Sequence, residues 1–193
     1  PHRTRRTHRR PSRRRARTDL FPEMGGRPPG IAAKKIKMNI RIRRAERRDC
    51  PRLLELVREL ATYERAPEAV TVDPQHFEDS GFGDHPVWWA FVAARPTPAA
   101  ASGEEIIAFA LYYIRYSTWK GQAMYLEDII VTEEMRGKGI GTLLFEQLKS
   151  EAREKGWSRI TWQVLDWNEP AIRFYHRQGA SLDPEWMNGS LEL

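Results

Sequence analysis

The sequence predicts a mixed α/β domain, a mostly antiparallel sheet with helices packed on it, over residues 38 to 193. Three observations predict it. Aromatic and β-branched runs follow one another across short turn-forming segments. Apolar residues recur at helical spacing in separate stretches, and the second half of the chain reads strand, helix, strand.

The elements follow in order from Met38. "NIRIRRA" alternates apolar and polar residues and suits a first strand with Ile40 and Ile42 facing inward. Asp49 offers an N-cap, and Leu53, Leu56, Val57, Leu60 and Ala61 then mark one face of a helix. A polar stretch runs through "GFGDHP" (81 to 86) as loop with some helix. "VWWAFVAA" (87 to 94) and "EIIAFALYYI" (105 to 114) read as an antiparallel pair, and "MYLEDIIV" (124 to 131) as a fourth strand. Ile140, Leu144, Leu148 and Ala152 recur every fourth residue, which makes a helix ending near Gly156. "RITWQVL" (159 to 165) is a fifth strand. Asn168 caps a short helix that tolerates Pro170 in its first turn and ends at Gly179, and residues 186 to 193 suggest one more strand.

Charge divides the 193 residues unevenly. Residues 1 to 37 hold +11 and residues 38 to 193 hold −5, so the overall +6 belongs to an Arg-rich tail on an acidic body. The tail has too few large apolar residues to offset its ordering entropy, which predicts disorder. It reads as an arm for nucleic-acid phosphates, as an organelle-targeting presequence, or, the favoured reading, as sequence upstream of the domain and foreign to it. Nucleic acid is a partner only on the first of these. The single cysteine, Cys50, points to a reducing compartment and a buried structural thiol. No apolar run approaches the roughly 18 residues that span a bilayer, and a soluble, cytoplasmic protein is expected.

"MRGKGIG" (135 to 141) lies between a strand and a helix. A Walker loop needs a Lys and a Ser or Thr after its last glycine, and a dinucleotide fingerprint needs two residues between its second and third; neither fits. What remains is a turn of exposed amides at the positive end of a helix, suited to a diphosphate, with Arg136 and Lys138 adding charge; a turn that binds nothing is the competing explanation.

"RGKGIG" resembles the Arg/Gln-x-x-Gly-x-Gly/Ala signature of the GCN5-related N-acetyltransferases. "YLEDIIV", "WNEPAIRFYHRQGA", "ELATYE" and "GFGDHP" are similar to their spermidine/spermine (diamine) branch. The resemblance implies a GNAT-like sheet with a splayed fourth strand, a homodimer, and acetyl-CoA as donor, with no metal. It implies the pyrophosphate on the amides of Arg136, Gly137, Lys138, Gly139, Ile140 and Gly141, and the pantetheine arm along the backbone of Ile129, Ile130 and Val131. Asn168 could bond that arm, although capping explains it equally well. The Arg-rich tail has no counterpart in the family pattern.

Acetylating an alkyl amine at neutral pH first requires removing a proton, at a cost on the order of 4 kcal/mol. Glu127 and Asp128 are the candidate acceptors, with Glu127 favoured, and both can serve one pocket only if the strand is bulged there. The resemblance implies Tyr175 as proton donor to the departing thiolate; an ordinary core aromatic is the alternative. His85 and His176 read as surface residues. Glu64, Glu127 and Asp128 would draw a cationic acceptor whose methylenes pack on Tyr63 and Trp119. The expected reaction is direct transfer to a small polyamine-like amine (spermidine, spermine or a diamine). Alternatives are a thialysine- or lysine-like acceptor and a non-catalytic acyl-CoA sensor.

Overall fold

The computed structural model describes residues 39–185 and 188–191. Its sheet has the order β1 (Arg41–Arg44), β2 (Trp89–Pro96), β3 (Glu104–Ser117), β4 (Gly121–Val131) and β5 (Ile160–Thr161). The first four strands pair antiparallel, and β5 joins β4 in parallel. Parallel pairing needs a crossover, which α3 (Ile140–Glu154) supplies. Helices α1 (Cys50–Tyr63) and α2 (Pro74–Phe82) pack on one face, while α3 and α4 (Glu169–Arg177) pack on the other.

Strand alternation builds both cores. Phe109 and Leu111 of β3 meet Leu53, Leu54 and Leu56 of α1, whereas Ala110 and Tyr112 meet Ile140, Leu144 and Leu148 of α3. The residues whose spacing predicts α3 are all buried. Arg44, Tyr112 and Glu151 form a polar insertion in the second core. The Tyr112 hydroxyl accepts from Arg44 at 2.7 Å and donates to Glu151 at 3.1 Å.

Asp49 does not cap α1. Its backbone is already helical (φ −82°, ψ −19°), and its carboxylate turns back to accept the Glu46 amide at 2.8 Å and Arg43 at 2.7 Å. Burial pushes its pKa up, but Arg43 and that amide outweigh burial and hold it below the ordinary value. The polar stretch before β2 contains α2, capped by Asp73 on the His76 amide at 2.9 Å. Strands β3 and β4 are longer than their apolar runs, because the hairpin carries its ladder on to Ser117↔Gly121.

The fifth strand is shorter than the sequence suggests. Only Ile160 and Thr161 pair with β4, while Trp162 and Val164 pack into the core without ladder bonds. The strand expected over 186 to 193 lies partly outside the described residues, and 188–191 carry no strand; the Arg-rich tail lies wholly outside them.

Candidate active site

The site begins where β4 parts from β5. Their pairing stops at Tyr125↔Thr161, yet β4 continues to Val131, so one edge of Leu126–Val131 has no neighbouring strand among the described residues. Within this stretch Tyr112 pairs with Leu126 and Leu111 with Asp128, which leaves Glu127 as the extra residue of a β-bulge. Leu111 lies on the α1 face of the sheet, and Asp128 opposite it shares that face. The bulge therefore turns both acids to one side: Glu127 is exposed and Asp128 half-buried.

Beyond the splayed edge, the chain makes a 3₁₀ turn at Glu133–Met135 and enters the glycine stretch. Gly137 (φ 73°) and Gly139 (φ 83°, the N-cap of α3) are both left-handed, and a Cβ on either would meet open space. The backbone conformation, not crowding, requires glycine at these two positions. The amides of residues 137 to 139 donate to no backbone carbonyl among the described residues, and the first turn of α3 adds amides that a helix leaves free. The two cations are engaged elsewhere. Arg136 donates from Nε to the Val131 carbonyl at 3.0 Å with its guanidinium 4.9 Å from the Tyr63 ring centroid, and Lys138 donates to the Glu134 carbonyl at 2.7 Å. A bound diphosphate would thus be met first by amides and the helix dipole.

Acidic groups gather at the bulge. Burial, with Glu127 and Glu64 nearby, pushes Asp128 up to about 6. Burial also raises Glu64, which follows the last residue of α1. Tyr175 is 6% exposed, and burial followed by the charges of Asp128 and Glu64 moves its pKa well above the ordinary value. Its ring is fixed by Trp162 at 4.6 Å and by Phe174 and Phe145, while its hydroxyl has no protein partner among the described residues. Asn168 does two things at once. Its Oδ1 caps α4 on the Ala171 amide at 3.3 Å and accepts the Tyr63 hydroxyl at 3.1 Å, leaving its Nδ2 without a protein acceptor among those residues.

A free strand edge, a turn of amides at a helix start and a buried tyrosine beside carboxylates can hold an acyl thioester next to an amine. The description "Acetyltransferase (GNAT) family" matches residues 51–180. The chain belongs to the GNAT acetyltransferase family. It is an acetyl-CoA-dependent N-acetyltransferase. A thialysine N-ε-acetyltransferase of Bos taurus is 39% identical over 142 residues, covering 73% of this chain and 84% of that protein. A spermidine/spermine N(1)-acetyltransferase-like protein of Homo sapiens is 34% identical, covering 72% of this chain and 20% of that protein. Among solved structures, an integron cassette protein from the mobile metagenome of V. cholerae superposes with a TM-score of 0.63 at 26% identity, covering 80% of this chain and 93% of that one.

In this acetyltransferase the other residues singled out from sequence fall in different places. Tyr63 sits over Arg136 and against Asn168, so it adjoins the cradle as much as the acid cluster. Trp119 is 87% exposed at the tip of the β3–β4 hairpin. It lies roughly 20 Å along the strand from Asp128, at about 3.3 Å per residue, and the fold of one chain does not bring the two together. His85 and His176 are exposed. Cys50 is buried, and burial pushes its thiol up to about 11. No group of metal-ligating side chains occurs among the described residues, and no helix there is long and apolar enough to cross a membrane. Trp162 and Trp167, which line this region, were missed because a lone Trp near a strand end has no spacing signal.

Proposed function

We propose that the enzyme acetylates the side-chain primary amine of a small thialysine- or lysine-like acceptor. The observation that carries this reading is the cluster of Glu64, Glu127 and Asp128 beside the Tyr175 hydroxyl at the splay of β4. The relatives favour this acceptor over the polyamine expected from sequence. The thialysine enzyme is matched over most of its length, and the spermidine/spermine-like protein over one fifth of it.

The acceptor arrives as an ammonium ion and is drawn by the acidic face of the bulge. A carboxylate of pKa about 6 is largely ionised at neutral pH yet a far better proton acceptor than an ordinary aspartate, which suits Asp128 to take the proton directly or through water. Exposed Glu127 adds charge at the entrance and is the second candidate for that proton. The freed amine attacks the thioester carbonyl of acetyl-CoA, the C–N bond forms, and the C–S bond breaks. Tyr175, kept protonated by burial and by its acidic neighbours, supplies a proton to the departing sulfur and is reprotonated by the second proton that the nitrogen sheds as the amide forms. Cys50 is protonated and buried at the first residue of α1, the end opposite Glu64, and direct transfer is the simpler route.

The test is amine-dependent release of CoA thiol with thialysine, lysine, ornithine, spermidine, spermine and putrescine. Highest kcat/KM for an amino-acid amine is expected. Preference for a polyamine would overturn the acceptor assignment, and silence across the panel would overturn the small-amine reading altogether.

A further inference from the structure

Arg65 is the one described non-glycine residue with a left-handed backbone (φ 65°). It lies two residues beyond Tyr63, the last residue of α1, just after the C-cap Glu64. Its amide donates to the Thr62 carbonyl and the Ala66 amide reaches back to Ala61, closing the helix as glycine or asparagine commonly does. A side chain in that conformation is strained, and strain of this kind persists where the side chain has work to do. The Arg65 guanidinium lies 4.8 Å from the Trp167 ring centroid and is in no ion pair among the described residues. Trp167 lies 6.1 Å from Tyr63 and immediately precedes buried Asn168. Arg65 thus stands on the rim of the site, next in sequence to Glu64, whose charge reaches Asp128 and Tyr175.

We infer that Arg65 is a specificity-determining residue that binds the α-carboxylate of the acceptor, while Glu64 faces its α-ammonium and Asp128 its side-chain amine. The inference rests on the proposed acceptor class and deepens it. An amino acid carries opposite charges on one carbon, and this turn presents opposite charges on neighbouring residues. A guanidinium is a planar fork matched to a carboxylate, and stacking on Trp167 restricts its rotamers before the acceptor arrives. A polyamine offers Arg65 only like charge.

The test compares thialysine with bis(2-aminoethyl) sulfide, the same chain without its carboxylate, on the full-length protein and on Arg65→Gly and Arg65→Lys. Arg65→Gly should shift the kcat/KM ratio toward the diamine by about tenfold or more, mostly through the thialysine KM, and Arg65→Lys should restore part of it. Because glycine relieves the left-handed strain, Arg65→Gly should melt no lower than wild type, which separates lost recognition from unfolding. A ratio unchanged within about twofold in Arg65→Gly would overturn the assignment. Wild type acting on the diamine alone would overturn it too while leaving amine acetylation standing; wild type acting on neither would overturn the proposed function as well.

Discussion

Replacing Asp128 by asparagine should stabilise the protein near pH 8 while removing most of its activity. Asp128 ionises at about 6, against an ordinary 3.8, chiefly because burial penalises its charge and secondarily because Glu127 and Glu64 are near. A shift of about two pKa units corresponds to at most about 3 kcal/mol of cost for holding the charged form in the fold. Partial exposure and relaxation reduce this to about 1–2 kcal/mol, or roughly 2–8 °C in melting temperature for a domain of this size. The native state binds this proton more tightly than the unfolded state does. Its contribution to stability is therefore complete below about pH 4 and is lost as pH rises through about 6. Thermal melts of wild type and Asp128→Asn from pH 4 to 8 should show the variant ahead at high pH and the two converging at low pH. Acetyl transfer near pH 7.5 should fall about 100-fold or more. A variant that melts no higher than wild type at pH 8, or a gap that fails to narrow at low pH, would refute the claim that Asp128 is a desolvated carboxylate.

Tyr175→Phe should lower kcat about 100-fold with little change in acetyl-CoA affinity; unaltered turnover in a rapid-quench assay would remove Tyr175 from the proton path. Gly139→Ala places a Cβ at φ 83° and should raise the acetyl-CoA Kd several-fold by calorimetry, and an unchanged Kd would mean that the turn is not the diphosphate cradle. Glu127→Gln should weaken kcat/KM for cationic acceptors at low ionic strength, with the difference shrinking in salt; a pH–rate profile identical to wild type would leave Asp128 as the base.

Much of this fold is legible locally. Ile140, Leu144, Leu148 and Ala152 announce α3 because one apolar stripe can face only one core, and Asn168, Pro170 and Gly179 bracket α4 through local backbone chemistry. Gly137 and Gly139 are likewise visible, since a left-handed turn has few substitutes. The adjacent acids in "YLEDIIV" raise the question of a bulge, but only cross-strand register can answer it. The β3–β4 turn fixes that register, and with it Glu127 as the extra residue. The early end of β5 is hidden for a related reason. Trp162 and Val164 suit a strand, and the loss of their ladder depends on how the chain leaves α3 and enters α4. Long-range contacts are the least legible. Nothing near Asp49 reveals that Arg43 will claim its carboxylate, and nothing near Arg136 reveals that its guanidinium will lie over Tyr63.

The most direct test of the central claim is an initial-rate matrix of CoA release, varying acetyl-CoA against thialysine near pH 7.5. If the splayed edge and glycine turn hold acetyl-CoA while the acid cluster readies the amine, both substrates occupy the enzyme together, and the double-reciprocal lines should intersect. Parallel lines, with acetyl-enzyme detected by mass spectrometry, or CoA release indifferent to the amine, would contradict it.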